Sequence, residues 1–234
     1  MSTRILLVRH GATVLTAEDR FAGATDVPLG DEGRHQARQL AARLAAEPLA
    51  AVYSSPLART VETARVIAGP HLLPVRLAPG LREMDHGHWE GLTRHEALER
   101  YPAEYAAWEA HPMDAAPLGG ESGRAVLSRA RAALDAIVSA HPGEHVLVVS
   151  HKATIRLLVA DLLGIDTSHY RSRLDQHPAA LNILDVEAGA DAKLVLYNDV
   201  SHTLVDAGLT TRDCGGTGRL KAAPTKTTTR RRRR

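Results

Sequence analysis

The 234-residue sequence is poor in cysteine and in aromatic residues, and it has no long hydrophobic run. Its single cysteine, Cys214, excludes a disulfide framework and a cysteine-based structural zinc site within one chain. No apolar segment approaches the roughly 18–20 residues that span a bilayer. The apolar run at the N-terminus already ends at Arg9, which is too early for a signal peptide. We therefore expect a cytoplasmic protein that does not bind a membrane.

Basic residues are unevenly distributed along the chain. Residues 221–234 hold seven Lys and Arg and no acidic residue, although the net charge of the whole chain is only +2. The other residues therefore carry a net charge of about −5, which disfavours a general nucleic-acid binder. Residues 207–234 are low in apolar side chains, so we expect a disordered basic tail. Contacts of this tail with nucleic acid are expected to be non-specific.

Three short apolar runs, at residues 5–8, 52–54 and 146–149, are each followed by apolar residues at helical spacing. Strands that alternate with helices predict an α/β fold. The expected architecture is a three-layer αβα sandwich with a largely parallel sheet and helices on both faces. Residues 179–186 and 192–197 are expected to add a late pair of strands.

We expect one domain over residues 1–206. The alternation of strands and helices breaks between about residues 81 and 140. This segment contains both tryptophans and a stretch rich in proline and glycine at residues 112–120. We interpret it as a small, mostly helical cap insertion that sits over the sheet.

Residues suited to phosphate binding follow the predicted strands. Arg9 and His10 end the first strand, Arg59 lies in the first turn of the helix after the second, and His151 ends the third. Ligands of such sheets bind at the carboxyl ends of the strands, so we expect these four side chains to converge there. Two guanidinium groups beside two imidazoles suit a tetrahedral phosphate. We expect the N-termini of the following helices to add backbone N–H donors.

Residues 7–13, with the sequence LVRHGAT, resemble the signature of the histidine phosphatase superfamily, which includes the cofactor-dependent phosphoglycerate mutases. Further matching segments follow in the order of that family's pattern, at residues 26–37, 54–64, 81–91, 120–122 and 149–151. An R-H-G tripeptide alone is a weak signal, but six segments in the right order are a strong one. The resemblance extends along nearly the whole predicted domain.

The resemblance implies a role for each matching residue. His10 is expected to be the nucleophile that becomes phosphohistidine, and Glu83 to protonate the leaving alkoxide and later activate water. Arg9 and Arg59 are expected to bind the phosphoryl oxygens, together with His151 as a further catalytic residue. The chemistry agrees, because covalent catalysis divides one difficult displacement into two and the arginines stabilise charge on the transferring group. Neighbouring cations should also lower the pKa of His10, which must attack as the neutral imidazole.

Three more residues complete the expected substrate-binding set. Thr16 stands where many family members have asparagine, so a phosphate contact there is expected to be weaker or supplied differently. Gly23 is assigned to the same set. Lys152 stands where most members have glycine after the late histidine. It either meets an acidic group of the substrate or points to solvent.

Neither a metal ion nor another cofactor is predicted. Asp85, His86 and His88 lie close together in sequence, but no carboxylate-rich motif accompanies them. His86 either lines the substrate pocket or lies at the surface, and we expect the surface.

These observations predict a metal-independent phosphatase that hydrolyses small phosphomonoesters through phosphohistidine. Two alternatives are a cofactor-dependent phosphoglycerate mutase that uses the same intermediate, and a phospholigand-binding module without turnover. True mutases of the family carry an E-R-x-Y-G stretch and a late S-H-G-N motif, whereas residues 83–87 read EMDHG and residues 150–153 read SHKA. Both differences favour hydrolysis. The sequence leaves open the physiological substrate and the oligomeric state, a homodimer included.

Overall fold

A computed structural model describes residues 1–187, 189 and 192–203. Its strands are β1 (Thr3–Arg9), β2 (Leu49–Ser54), β3 (Val75–Leu77), β4 (His145–Ser150), β5 (Leu181–Val186) and β6 (Lys193–Asp199). They form one sheet in the order β3-β2-β4-β1-β5-β6. The first four strands are parallel, whereas β5 pairs antiparallel with β1 and β6 pairs antiparallel with β5. The expectation of a largely parallel sheet with a late strand pair is confirmed.

Strand β3 was not predicted from the sequence. It has only three residues, of which Arg76 and Leu77 are exposed, and it lies at the edge of the sheet. A short edge strand buries too little surface to require an apolar run, so its sequence resembles that of a loop.

The α-helices of the described residues surround this sheet and its carboxyl edge. They are α1 (Val14–Ala17), α2 (Asp31–Leu44), α3 (Ala58–Ala68), α4 (Arg94–Arg100), α5 (Pro102–Ala110), α6 (Gly123–Ala140), α7 (Lys152–Leu162) and α8 (Tyr170–Arg173). Short 3-10 turns connect several of them, among them Pro79–Leu81 and Gly87–Trp89.

The side chains of β1 alternate between two hydrophobic cores because successive residues of a strand point to opposite faces. Ile5 and Leu7 pack in one core with α6 and α7, whereas Leu6 and Val8 pack in the other with α2 and α3. The central strands are thus buried on both faces, as expected for a parallel sheet between two helical layers. The predicted three-layer αβα sandwich is confirmed.

The segment expected to form the cap divides into two parts. Helices α4 and α5 belong to an aromatic cluster that contains Trp89 and Trp108. Helix α6 instead packs Ala130 and Leu134 into the same core as the sheet. Residues 82–122 therefore lie outside the two cores of the sheet, with Met84 and Met113 packed against α7, while α6 is a layer helix.

The predicted tail at residues 207–234 lies outside the described residues. Within the described ranges, no helix is both long and apolar enough to cross a membrane.

Candidate active site

His10 follows β1 directly, and hydrogen bonds hold both its backbone and its ring in place. Its backbone N–H donates to the Ser150 carbonyl oxygen at 3.1 Å, which ties the end of β1 to the end of β4. Its Nδ1 lies 2.7 Å from the Gly11 carbonyl oxygen. Because a carbonyl can only accept, Nδ1 carries the proton and Nε2 carries the free lone pair. Burial, and then the charges of Arg9 and Arg59, hold the pKa of His10 well below its usual value, so the ring is neutral.

Two buried guanidinium groups flank this imidazole. Arg9 donates from Nη1 to the Gln176 carbonyl oxygen at 2.6 Å. Arg59 donates from Nη1 and Nη2 to the carbonyl oxygens of Thr25 and Gly23, at 2.8 and 2.7 Å. The Nε atoms of both arginines are buried without a hydrogen-bond partner among the described residues. Burial lowers the pKa of Arg9 to about 10, so it remains charged at neutral pH. Such donors are well suited to an anion.

The loop that holds Arg59 depends on Gly23. This residue has a φ of +48°, in the left-handed region that favours glycine, and a Cβ there would collide with the Glu90 carboxylate. Glu90 accepts the backbone N–H of Ala24 at 2.6 Å and that of Thr25 at 2.8 Å, and also the Thr25 hydroxyl. Gly23 therefore lets a carboxylate approach the loop closely. Glu90 orients the carbonyl groups that position Arg59.

His151 lies directly behind His10 and is fully buried. The two ring centroids are 5.2 Å apart in an edge-to-face arrangement. His151 Nε2 lies 2.7 Å from the Ser55 hydroxyl, and its buried Nδ1 has no partner among the described residues. Burial, followed by the nearby charges of Arg59 and Arg9, also holds the pKa of His151 well below its usual value. Two neutral imidazoles thus lie between two charged arginines.

Glu83 is held at the N-terminus of α7. Its carboxylate accepts the backbone N–H of Ala153 and that of Thr154, both at 3.2 Å. Its own carbonyl oxygen accepts from Arg129 Nη2 at 2.9 Å, and the Arg129 guanidinium is in turn paired with Glu121 at 2.7 Å. Glu83 is fixed from both sides, and its carboxylate takes the place of the missing N-cap side chain of α7.

The expectation that helix N-termini add donors to the phosphate site does not hold for three amides of α3 and α7. The first amides of α7 do not face a phosphate site freely, because those of Ala153 and Thr154 donate to Glu83. At the start of α3, the Ala58 N–H donates to Asp26 Oδ1 at 2.7 Å. The helices thus use these donors to position carboxylates, and the positive charge that faces the cleft comes from arginine side chains and Lys152.

These residues surround a cleft of about 390 Å³ at the carboxyl edge of the sheet. The predicted site residues that line it are Arg9, His10, Thr16, Gly23, Arg59, Glu83 and Lys152. His151 contributes from behind His10. We call Arg9, His10, Arg59 and His151 the floor of the cleft. Thr16 is placed by its side chain, whose hydroxyl lies 3.0 Å from that of Thr13.

Comparison with known proteins agrees with this geometry. The sequence model of the histidine phosphatase superfamily (branch 1) matches residues 5–200. The chain belongs to this family. It is a phosphoric monoester hydrolase of the histidine phosphatase type.

Named relatives and solved structures cover most of this histidine phosphatase. It is 36% identical to phosphoserine phosphatase 1 of Hydrogenobacter thermophilus, over 72% of this chain and 80% of that protein. It is 35% identical to the metal-independent phosphoserine phosphatase of Arabidopsis thaliana, over 86% of this chain and 83% of that protein. The solved structure of Bacillus stearothermophilus YhfR has a TM-score of 0.80 at 35% identity and covers 86% of this chain and 98% of its own. The chain also matches longer mycobacterial relatives, of which it spans 55%.

The histidine phosphatase cleft also has a side that sequence analysis largely missed. We call Phe21, Arg94, Trp108, Lys152 and Arg156 the wall. The Phe21 and Trp108 rings lie 5.9 Å apart, and the Arg94 guanidinium lies 6.0 Å from the Trp108 ring. These residues come from a loop and from three helices, so no motif joins them in the sequence. Of these residues, only Lys152 was predicted to bind substrate, because it follows a recognised motif.

The expectation that His86 lies at the surface is wrong. Its side chain lines the histidine phosphatase cleft and is only 8% exposed. The ring packs against Phe21 with a centroid distance of 4.6 Å. Burial lowers the pKa of His86 to about 4, so the ring is neutral at neutral pH. In the ranges that the structure describes, no group of three or more His, Cys, Asp or Glu is placed to hold a metal ion.

Proposed function

We propose that this histidine phosphatase hydrolyses small phosphomonoesters in two steps through a phosphohistidine at His10. The observation that carries the proposal is the state of the His10 ring. It is neutral, its Nδ1–H is tied to a backbone carbonyl at 2.7 Å, and it lines the cleft between two buried arginines. An imidazole held in this tautomer presents Nε2 as a nucleophile without a further proton transfer.

In the first step, His10 Nε2 attacks the phosphorus atom and an N–P bond forms. The P–O bond to the alcohol breaks, and its electron pair leaves with the oxygen. That oxygen takes a proton from Glu83, which lines the same cleft and must bind this proton before the step begins. Arg9 and Arg59 bind the phosphoryl oxygens and stabilise the charge that they carry during transfer.

In the second step, water attacks phosphorus from the side that the alcohol has left. The Glu83 carboxylate takes a proton from this water as it attacks. The N–P bond breaks, and its electron pair returns to His10 Nε2. Inorganic phosphate is released, and both His10 and Glu83 regain their initial protonation states.

The names of several relatives support small phosphomonoesters as substrates. They include two phosphoserine phosphatases, one of them called metal-independent, and the 2-carboxy-D-arabinitol-1-phosphatase of Triticum aestivum at 34% identity. The mechanism proposed above needs only side chains of this chain. We therefore propose that activity survives complete chelation with EDTA, and a loss that Mg²⁺ or Zn²⁺ restores would contradict this.

Rapid quench with a ³²P-labelled monoester tests the intermediate. The wild-type enzyme should yield an acid-labile, base-stable phosphoenzyme within one turnover. His10→Ala should yield none and lose at least about 10³-fold in kcat. His95→Ala is the matched control, because His95 is exposed on α4 and does not line the cleft. Near-normal turnover by the correctly folded His10→Ala variant would end the proposal.

A second candidate activity is phosphoglycerate mutation, in which the phosphohistidine transfers its phosphoryl group to a second hydroxyl. A specific observation favours it, since the chain is 41% identical over 66% of its length to phosphoglycerate mutase-like protein 4 of Arabidopsis thaliana. A coupled assay of 3-phosphoglycerate conversion with added 2,3-bisphosphoglycerate decides between the two. Hydrolysis predicts phosphate release that greatly exceeds isomerisation.

A further inference from the structure

The wall of the cleft holds cations that have no acidic partner. Arg94, Lys152 and Arg156 line the cleft, and none of them forms an ion pair within 4.0 Å among the described residues. By contrast, two other cations that line the cleft are paired. Arg20 is 2.8 Å from Glu96, and Arg171 is 3.7 Å from Glu109. The unpaired wall cations are additional to the floor arginines, which the proposed chemistry already uses.

Two of these cations are built into the helix that starts beside the floor. Lys152 and Arg156 are four residues apart on α7 and therefore lie on the same helix face. Arg156 is 6% exposed, and its guanidinium donates to the carbonyl oxygens of Tyr170, at 3.2 Å, and Arg171. These bonds hold the group in place without neutralising its charge. Lys152 is half-buried, and its ammonium group makes no hydrogen bond among the described residues.

The third cation comes from a different helix and is exposed to solvent. Arg94 is the first residue of α4, and its guanidinium lies 5.9 Å from the Phe21 ring and 6.0 Å from the Trp108 ring. The wall cations are close enough to influence one another. Burial lowers the pKa of Lys152, and the charges of Arg9, Arg156 and Arg94 lower it further.

Acidic groups in the cleft do not balance these charges. Glu83 is engaged by the amides of α7, and Asp19 is exposed on the loop after α1. Asp175 is the carboxylate that acts on Lys152, but it is exposed and accepts the Gln176 N–H at 2.7 Å. The wall carries three positive charges, and Asp175 offsets only one of them. The wall therefore keeps a net positive charge.

We propose that Arg94, Lys152 and Arg156 form a second anion-binding subsite, which binds a carboxylate or a second phosphate on the alcohol part of the substrate. The inference rests on the proposed phosphatase function, because it assigns the substrate class of the same cleft. Like charges that line one cleft repel one another, and the buried Arg156 and half-buried Lys152 also lose solvation, so a bound anion offsets both costs. An ester with a neutral alcohol part makes no such interaction.

A matched set of esters tests the subsite. Glycerol 3-phosphate has a neutral alcohol part, 3-phosphoglycerate has a carboxylate at the corresponding carbon, and 1,3-propanediol bisphosphate has a second phosphate. The wild-type enzyme should have a higher kcat/KM for both anionic esters than for glycerol 3-phosphate. A carboxylate ligand and a phosphate ligand are distinguished by which of the two anionic esters is preferred.

Lys152→Met and Arg94→Gln should each lower the preference for the anionic esters by about fivefold, as expected for one cation in a partly solvated site. The matched controls are Lys193→Met and Arg100→Gln, because Lys193 and Arg100 are exposed and do not line the cleft. These controls should keep the wild-type preference. An equal loss for all three esters in the two wall variants would overturn the subsite.

A binding measurement separates this inference from the proposed chemistry. Calorimetry with the His10→Ala protein measures the affinity for 3-phosphoglycerate and glycerol 3-phosphate without turnover. Adding Lys152→Met should weaken the binding of 3-phosphoglycerate about fivefold more than that of glycerol 3-phosphate. This result stands even if the phosphoenzyme experiment fails. Equal affinities of the two esters for both proteins would contradict the subsite alone.

Discussion

The floor and the wall of the cleft are held in place in different ways. Floor residues extend from strand ends and from the first turn after a strand, and backbone carbonyl groups fix both arginines. Wall residues come from helices and from the segment over the sheet, and two of the three wall cations have no hydrogen bond among the described residues. The floor is therefore a rigid, preorganised group, whereas only Arg156 is comparably fixed in the wall.

This difference assigns different tasks to the two regions. Preorganised donors suit the step that all esters share, which is the stabilisation of charge on the transferring phosphoryl group. Partly solvated side chains suit discrimination between alcohol parts, where each contact contributes less. A floor variant should therefore affect all esters alike, and a wall variant should affect them selectively.

Among the variants that compare floor and wall, Arg59→Met should have the largest effect. Loss of this buried guanidinium should lower kcat/KM on the order of 10²–10³-fold, and by the same factor for glycerol 3-phosphate and 3-phosphoglycerate. Arg65→Met is the control, because Arg65 is exposed on the same helix. Arg59→Lys keeps the charge and guards against a folding defect, which thermal melting will detect. A loss confined to one class of ester would remove the distinction between floor and wall.

The next largest expected effect is a loss of folding stability at acidic pH. Burial lowers the pKa of His10, His151 and His86, so the unfolded chain binds more protons than the folded one below about pH 6.5. Stability should therefore fall as the pH falls. Each histidine should remove about 1 kcal/mol of unfolding free energy between pH 6.5 and 5.5, or about 3 kcal/mol for the three.

Urea unfolding at the two pH values measures this fall. His86→Phe should reduce it by about 1 kcal/mol relative to the wild type, because one buried neutral histidine has been removed. His86 packs beside the wall, so its variant leaves the floor histidines in place. An identical fall in both proteins would show that burial of His86 does not control its protonation.

The sequence also predicts the floor of the cleft better than it predicts the wall. Arg9, His10 and His151 end buried strands, and the apolar runs that precede them reveal both the strand and its carboxyl end. The three-layer architecture and the convergence of these residues therefore follow from local patterns. Arg59 was predictable as well, because it lies in the first turn of a helix that follows such a strand.

The wall and the supports of the floor could not be predicted in this way. Arg94 and Arg156 lie on helices whose position over the cleft is set by packing between elements far apart in sequence. Glu90 was recognised only as part of a motif, and its contact with the Gly23 loop depends on a three-dimensional approach of two loops. Helix α6 was grouped with the cap because it follows the cap segment directly in the sequence. Its packing against the sheet is seen only in the three-dimensional structure.

A smaller effect is expected from Gly23→Ala, which tests how the floor is supported. A side chain at a φ of +48° is strained and would push against Glu90, so the loop that positions Arg59 should shift. We expect a stability loss of about 1–2 kcal/mol and about a tenfold lower kcat/KM for every ester. Gly69→Ala is the matched control, since nothing lies within 4 Å of a Cβ there. If Gly23→Ala behaves like Gly69→Ala, the loop does not position Arg59.

Inhibition by inorganic phosphate tests the division between floor and wall most directly, because this ion has no alcohol part to reach the wall. Its inhibition constant should be measured with glycerol 3-phosphate as substrate for the wild type, Arg59→Met and Arg94→Gln. The account predicts that the constant rises at least about tenfold in Arg59→Met and less than about twofold in Arg94→Gln. A comparable rise in both variants would contradict it, since the wall would then bind the phosphoryl group itself.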